Sequence, residues 1–359
     1  MAVDQRYKSV INWLRGFYIR GAIRARCRNK ATAMKAIQIA ASGGPEVLVA
    51  VDVPTPSPGD GEVLVRAQAI GVGKPDVLFR TGAYRWRPPL PAIPGAEMSG
   101  TIEALGRGVE GLRIGARVLV YRFAGGCYAE KVAVPAADVT VLPDAIDFDD
   151  AVSIPNYQVA YALLNVAARG IDAKTVYVNG AAGGIGSAII QLCRLNGIAV
   201  IAGASSDEKC AFARAQGADH TINYARDNAV AHVLELTGGR GADLILDHIV
   251  GKDFTDNLDM LAPLGLIVSF NALGGPPEKD LFKEMRAHLP RSPAVRCFTM
   301  HSFDHDPVAR RHVAQVTLAL FAAGKVKPPV FAKLGLSEAR RAHELLDARQ
   351  VFGKLILQP

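Results

Sequence analysis

Between Thr175 and Gly186 the chain reads TVYVNGAAGGIG and continues SAIIQLCRLNG. Ala181, Gly183 and Gly186 fall on a G-x-G-x-x-G grid with alanine in the first place, inside the turn Ala181, Ala182, Gly183, Gly184, Ile185, Gly186. Missing or minimal side chains let a pyrophosphate approach the backbone, and the unpaired N–H groups and dipole of a starting helix favour its negative charge. The same grid also fits a glycine turn with no ligand, so the end of the next strand has to discriminate. A dinucleotide site for NAD would close its second strand with Asp or Glu, about 20 residues past the first glycine, to hold the ribose 2′-hydroxyl. That place holds Gly203, Ala204, Ser205 and Ser206, with Lys209 just behind. Asp207 and Glu208 read as first-turn residues of the next helix, capped by Ser205 or Ser206. Two hydroxyls, a helix start and a lysine suit a 2′-phosphate, so NADP(H) is expected as cofactor; the alternative is an ordinary capped helix with a solvated lysine.

Other constellations carry less. There is no Tyr-x-x-x-Lys and no G-x-x-x-x-G-K-[ST], which argues against a short-chain reductase and a P-loop hydrolase. His301 and His305 with Asp304 and Asp306 are followed at once by Pro307 and read as a polar loop rather than a metal site. His248, beside Asp247 at a strand end, reads as a cleft-edge residue. The five cysteines are scattered, with no C-x-x-C pair, which argues for a reducing compartment and against a zinc or disulfide framework. A cytoplasmic location is expected.

The elements that position these residues follow from periodicity. Thr175–Val178 is strand-like, and Ile185, Ile189, Leu192 and Leu195 recur at helical spacing. From about Ala151 helices and strands alternate: helix 151–168, strand 199–204, helix 207–215, strand 220–223, helix 229–237, strand 242–249, helix 254–261 and strand 266–270. Alternation implies a parallel, doubly wound sheet with its ligand at the carboxyl ends of the strands. Upstream, short alternating runs at 35–40, 62–70, 99–104, 117–121 and 130–135 lie between Gly and Pro clusters and imply a β-barrel-like domain. After Pro293 the chain reads strand 295–299, helix 307–323, helix 337–348 and strand 354–357, a tail expected to return to the first domain and place the active site between the two.

With 359 residues the chain suits two domains. Its net charge of +7 resides in residues 1–33, which hold eight basic side chains and one acid, while the remaining 33 basic and 33 acidic side chains cancel. The pI of 9.2 therefore does not point to nucleic acid on the body of the protein. The Arg-rich extension, with Trp13, Phe17 and Tyr18 interspersed, fits a mitochondrial-type presequence or a membrane-surface helix; the favoured reading is a disordered tail, or a translated leader before a start at Met34. No apolar run approaches a membrane span.

Several motifs occur together: MKA…GGPEVL at 34–48, IGVGKPDVLFRTGAY at 70–84, PGAEMSGTIEALGRGV at 94–109, NGAAGGIG at 179–186, GASSDEK at 203–209, GADHTINY at 217–224 and GKLIL at 353–357. With them the chain resembles, over 34–359, a medium-chain dehydrogenase/reductase of the zinc-independent quinone oxidoreductase (zeta-crystallin-like) group. The resemblance implies an α/β protein with a GroES-like β-barrel (34–155 and 297–359) and a doubly wound Rossmann domain binding NADPH (156–296), commonly a homodimer joined through the Rossmann sheets. It implies that Ser205, Lys209 and Tyr224 hold the 2′-phosphate, that Phe270 and Asn271 lie beside the nicotinamide ribose, and that Arg349 and Lys354 reach back to the cofactor. Tyr84 matches a tyrosine that in related enoyl reductases faces the substrate and orients it or donates a proton. Asp76 and Arg80 match as well, and are expected as a structural ion pair. Departures are equally specific. Asn271 stands where the family has Gly, and Gly73 replaces an Asn near the nicotinamide. Zinc-dependent relatives place a Cys where Gly73 stands, a His where Ala96 stands, and a Cys-rich lobe that has no counterpart, so no tetrahedral zinc site is expected. The expected function is NADPH-dependent, zinc-free hydride transfer to a small, electron-poor acceptor, a quinone or an α,β-unsaturated carbonyl. The alternatives are a 2-enoyl thioester reductase and, in another class, an NADPH-binding non-enzyme of crystallin-like or RNA-associated type.

Overall fold

The computed structural model describes residues 33–85 and 87–359. The basic extension, apart from Ala33, lies outside the described residues.

The first part of the chain is a barrel of short strands: β1 (Ala33–Gln38), β2 (Val49–Pro54), β3 (Glu62–Val72), β4 (Glu97–Leu105), β5 (Arg117–Tyr121), β6 (Lys131–Pro135) and β7 (Val139–Val141), with helix α1 (Lys74–Thr81) after β3. β3 is the longest, and its alternation buries Val63, Val65 and Ala67 in the barrel core, while Ala69, past a register shift, packs with Val152 and Ile356. It pairs antiparallel with β4 on one edge and with β6 and the C-terminal strand along the other. Helix α1 starts where Asp76 reaches back to accept from Gly73 N–H, and ends at Gly82, whose φ of 83° suits glycine.

Helices α2 (Phe148–Ala151) and α3 (Ile154–Ala162) lead into the second part. It contains β8 (Thr175–Asn179), α4 (Gly184–Leu195), β9 (Ala199–Ala204), α5 (Asp207–Ala215), β10 (His220–Asn223), α6 (Ala229–Leu236), β11 (Ala242–Asp247), β12 (Leu261–Ser269), α7 (Leu281–Ala287) and β13 (Ala294–Cys297). The six strands form one parallel sheet in the order β10-β9-β8-β11-β12-β13. This is the doubly wound order whose direction reverses between β8 and β11, so the crevice for a dinucleotide lies above those two strands. Its central strands are buried on both faces; all six residues of β11 are buried, including Asp243 and Asp247.

Helix α8 (Pro307–Ala322), β14 (Val330–Gly335), α9 (Ala339–Asp347) and β15 (Lys354–Gln358) complete the chain. β15 lies between β14 and β3 in the barrel sheet, with Leu355, Ile356 and Leu357 fully buried. The GroES-like barrel and the doubly wound sheet are both present, and the tail returns to the barrel. Three details differ from the sequence reading. The expected helix 151–168 is broken into α2, α3 and a π-turn at Leu163–Ala167. The expected helix 254–261 is a 3-10 turn at Phe254–Leu258, because β12 already starts at Leu261, where it pairs with Ala242. Helices α1 and α7 and strands β2, β7 and β14 have no counterpart in the sequence reading.

Candidate active site

The glycine turn joins β8 to α4 above the crevice. Gly180 has φ of 74°, and Ala181 N–H donates to Gly203 O at 2.9 Å, tying the turn to β9. Each small residue has its own reason. A Cβ on Gly186 would lie 2.3 Å from Ala181 O, so helix and strand approach only with glycine there, whereas a Cβ on Gly183 would meet nothing within 4 Å. The open side of the turn is thus Gly183, at the N-cap of α4 with no side chain to occupy the first N–H groups. Ala181 and Ala182 are buried; Gly184 packs beside Asn156, and Ile185 against the sheet core. The barrel's own tail closes on this turn: Gly353 N–H donates to Ala182 O at 3.0 Å, and Gly183 and Gly353 form a parallel bridge.

At the end of β9 the expected anion-binding residues come together. Lys209 Nζ donates to Ser205 Oγ at 3.0 Å, and Tyr224 also hydrogen-bonds Ser205. The Ser206 hydroxyl is spent on capping α5, accepting from Lys209 N–H at 3.2 Å. Arg349 faces the same spot; burial, then the nearby Arg349 charge, hold the Lys209 ammonium below its usual range. Burial likewise lifts the Tyr224 phenol, with Arg349 opposing. Lys74, on α1, is pushed down by burial and lies near Arg349 as well, and the Phe352 ring lies 6.0 Å from Lys209 Nζ. Sequence reasoning missed Lys74 and Phe352; the only available signal was their closeness in sequence to Gly73 and Gly353.

Lys354 does not join this group. It is only 3 % exposed, and its ammonium is ion-paired with the buried carboxylate of Glu97 on β4. Phe270 stacks on His248 with ring centroids 5.3 Å apart, at the carboxyl ends of β12 and β11. Asn271 is exposed and turns its side-chain oxygen to Ala272 N–H. His248 sits beside Gly180, where a Cβ would approach its ring to 2.5 Å.

On the barrel side, Tyr84, Asp76, Phe79, Pro75, Ala96, Phe123 and Gly125 line a small recess. Burial, then the neighbouring Asp76 charge, raise the Tyr84 phenol. The expected Asp76–Arg80 pair is not formed. Arg80, buried in α1, pairs with Asp347 at 2.7 Å, since its side chain runs toward α9. Asp76 instead accepts from Gly73 N–H at 2.9 Å and from Ala96 N–H at 3.1 Å, the two residues standing where zinc-dependent relatives carry ligands. Among the described residues no three His, Cys, Asp or Glu side chains gather as a metal site. His301 and Asp304 pair at 2.9 Å in the polar loop expected there.

Comparison with known proteins places this geometry. Residues 59–144 match the alcohol dehydrogenase GroES-like domain, and residues 184–309 match the zinc-binding dehydrogenase domain. A quinone oxidoreductase of Pseudomonas aeruginosa is 35% identical over 332 residues, covering 90% of this chain and 99% of that protein. The solved quinone oxidoreductase of Pseudomonas syringae superposes with a TM-score of 0.83 at 32% identity, over 91% of this chain and all of that one. The Escherichia coli quinone oxidoreductase, solved in complex with NADPH, gives 0.83 at 29% identity, over 90% of this chain and all of that one. Agreement of sequence along nearly the whole length, of both domains and of their arrangement leads to one conclusion: the chain belongs to the quinone oxidoreductase group of the medium-chain dehydrogenase/reductases.

Proposed function

We propose that this protein is an NADPH-dependent oxidoreductase that works without zinc and passes hydride to a quinone or an α,β-unsaturated carbonyl. The observation that carries the cofactor choice is the meeting of Lys209, Arg349, Ser205 and Tyr224 at the end of β9. Two cations crowd one partly buried spot where an NAD site would present a carboxylate, and a 2′-phosphate would relieve their repulsion. The residues fit the rest of the dinucleotide too: the pyrophosphate at the open face of Gly183, the nicotinamide ribose beside Phe270 and Asn271. Lys354 acts through the tail strand rather than by touching cofactor. The bound nicotinamide supplies the hydride; the chain supplies orientation and a water-poor cleft, with Tyr84 placed to orient the acceptor's oxygen. Gly73 and Ala96 in place of zinc ligands support a metal-free reaction, which suits an acceptor already electron-poor. A homodimer joined through the sheet edge at β13 completes the proposal, and sedimentation velocity tests it.

The decisive assay is NADPH consumption against phenanthrenequinone, an octenone and crotonyl-CoA, with NADH in parallel. Turnover of the first or second with NADPH is expected. Preference for crotonyl-CoA would favour the thioester reductase, and tight NADPH binding with no turnover on any of the three would favour the non-enzyme.

A further inference from the structure

The recess behind Tyr84 contains more acid than its surroundings neutralise. Asp76 and Glu97 are both buried, 2 % and 6 % exposed, and face the same interior. Among the described residues one ammonium, that of Lys354, enters this interior, and it pairs with Glu97. Tyr84 on the recess wall, Tyr121 on β5, and Cys127 and Tyr128 between β5 and β6 surround Asp76 as neutral groups, and the charges beyond them are paired with one another, Arg122 with Asp138 and Arg310 with Asp304. Arg80, on the same helix, is turned to Asp347. Two carboxylates and one cation sealed from water leave a net negative charge, which is costly unless one carboxyl takes up a proton. Asp76, without a cation of its own, is the one that does. Burial first and Glu97 second push its carboxyl up to about 7.

The recess is small, about 10 Å³, at the threshold for a single water molecule. An acceptor cannot enter it, so Asp76 can serve one only through Tyr84 or one water beside it. The Tyr128 hydroxyl, which interacts with Asp76, is 3.1 Å from His343 Nε2 on α9, whose Nδ1 is buried without a partner, as are Nε and Nη1 of neighbouring Arg80.

We propose that Asp76 holds a proton in the resting protein and passes it through the Tyr84 hydroxyl to the acceptor after hydride has been delivered. This rests on the NADPH and enone reading above. The hydride's electron pair forms the new C–H bond at the β-carbon, and the π pair moves onto the carbonyl as an enolate. The enolate's α-carbon takes the Tyr84 proton, Tyr84 takes that of Asp76, and the resulting carboxylate is recharged from water. The acceptor gains one hydride and one proton, and NADPH leaves as NADP⁺. Asp76 is therefore a positioning and proton-holding residue, while Tyr84 is the group that touches the acceptor.

The test pairs wild type with Asp76→Asn. In the cofactor-free protein near pH 6, infrared difference spectra should show the C=O stretch of a buried protonated carboxyl, missing in the variant. Wild-type kcat on the octenone should fall through an inflection near pH 7. In Asp76→Asn that inflection disappears and kcat on the octenone drops roughly a hundredfold, a much larger loss than on phenanthrenequinone, whose reduced anion takes its proton from water. Tyr84→Phe should lose the octenone activity and keep the infrared band. If Asp76→Asn does not fold, the wild-type profile and band still decide. A wild type with no inflection and no band overturns the proposal, as does an Asp76→Asn enzyme with the wild-type pH profile. A wild type that turns over neither acceptor overturns instead the reading of function.

Discussion

At the scale of single residues, the proposed selectivity for a 2′-phosphate rests on Lys209 and its neighbours. Lys209→Ala removes one charge-assisted hydrogen bond, worth about 1.5–3 kcal/mol, so Kd for NADPH should rise roughly ten- to a hundredfold while that for NADH barely moves. Fluorescence titration of both cofactors checks this, and equal losses for the two would count against the assignment. Residues of this kind were legible because their logic is local: Ser205, Ser206 and Lys209 lie within five positions of the strand end that needs them. Asp76 was legible only as a family match and was given the wrong partner. Its real surroundings come from Ala96, 20 residues on, and from Glu97 with Lys354, 257 residues apart. No spacing rule along the chain connects those positions.

At the scale of elements, two fits can be broken separately. Gly186→Ala drives a methyl to 2.3 Å from Ala181 O where α4 leaves the turn, and should cost about 1–3 kcal/mol in urea unfolding, with weakened dinucleotide binding. Lys354→Met strands the Glu97 carboxylate inside the barrel, a loss of about 3–5 kcal/mol. Adding Glu97→Gln should recover much of it, which a double-mutant comparison of denaturation midpoints measures. Strong alternation and buried apolar runs made barrel strands β1, β3, β4, β5 and β6 and the sheet strands β8 to β11 readable, whereas β2 and β7, half-exposed, went unread. Helix α1 was missed because its start depends on Asp76 capping Gly73, and β14 because it is a half-exposed edge whose apolar residues, Phe331 among them, show no clean buried face. Helix 254–261 was misread because Leu261 belongs to the pairing of β12 with Ala242, a long-range contact that overrides local helical spacing.

At the scale of the whole molecule, the buried acid couples stability to pH. Asp76 ionises near 3.8 in an unfolded chain and near 7 when folded. Between these values the folded protein keeps a proton that the unfolded chain has released, so this contribution to stability falls as pH rises from about 4 to about 7 and is flat above. Thermal unfolding of wild type and Asp76→Asn across that range should show the slope in the first and a shallower one in the second. The two lobes also share a clasp. Because Gly353 is stitched to Ala182 and Gly183, the last strand of the barrel and the cradle for the pyrophosphate travel as one piece. An opening between the lobes that keeps this stitch would pivot about it. Gly353→Ala, whose added carbon would lie 2.3 Å from Pro329 O at a φ of 77°, should loosen that fulcrum and weaken cofactor binding.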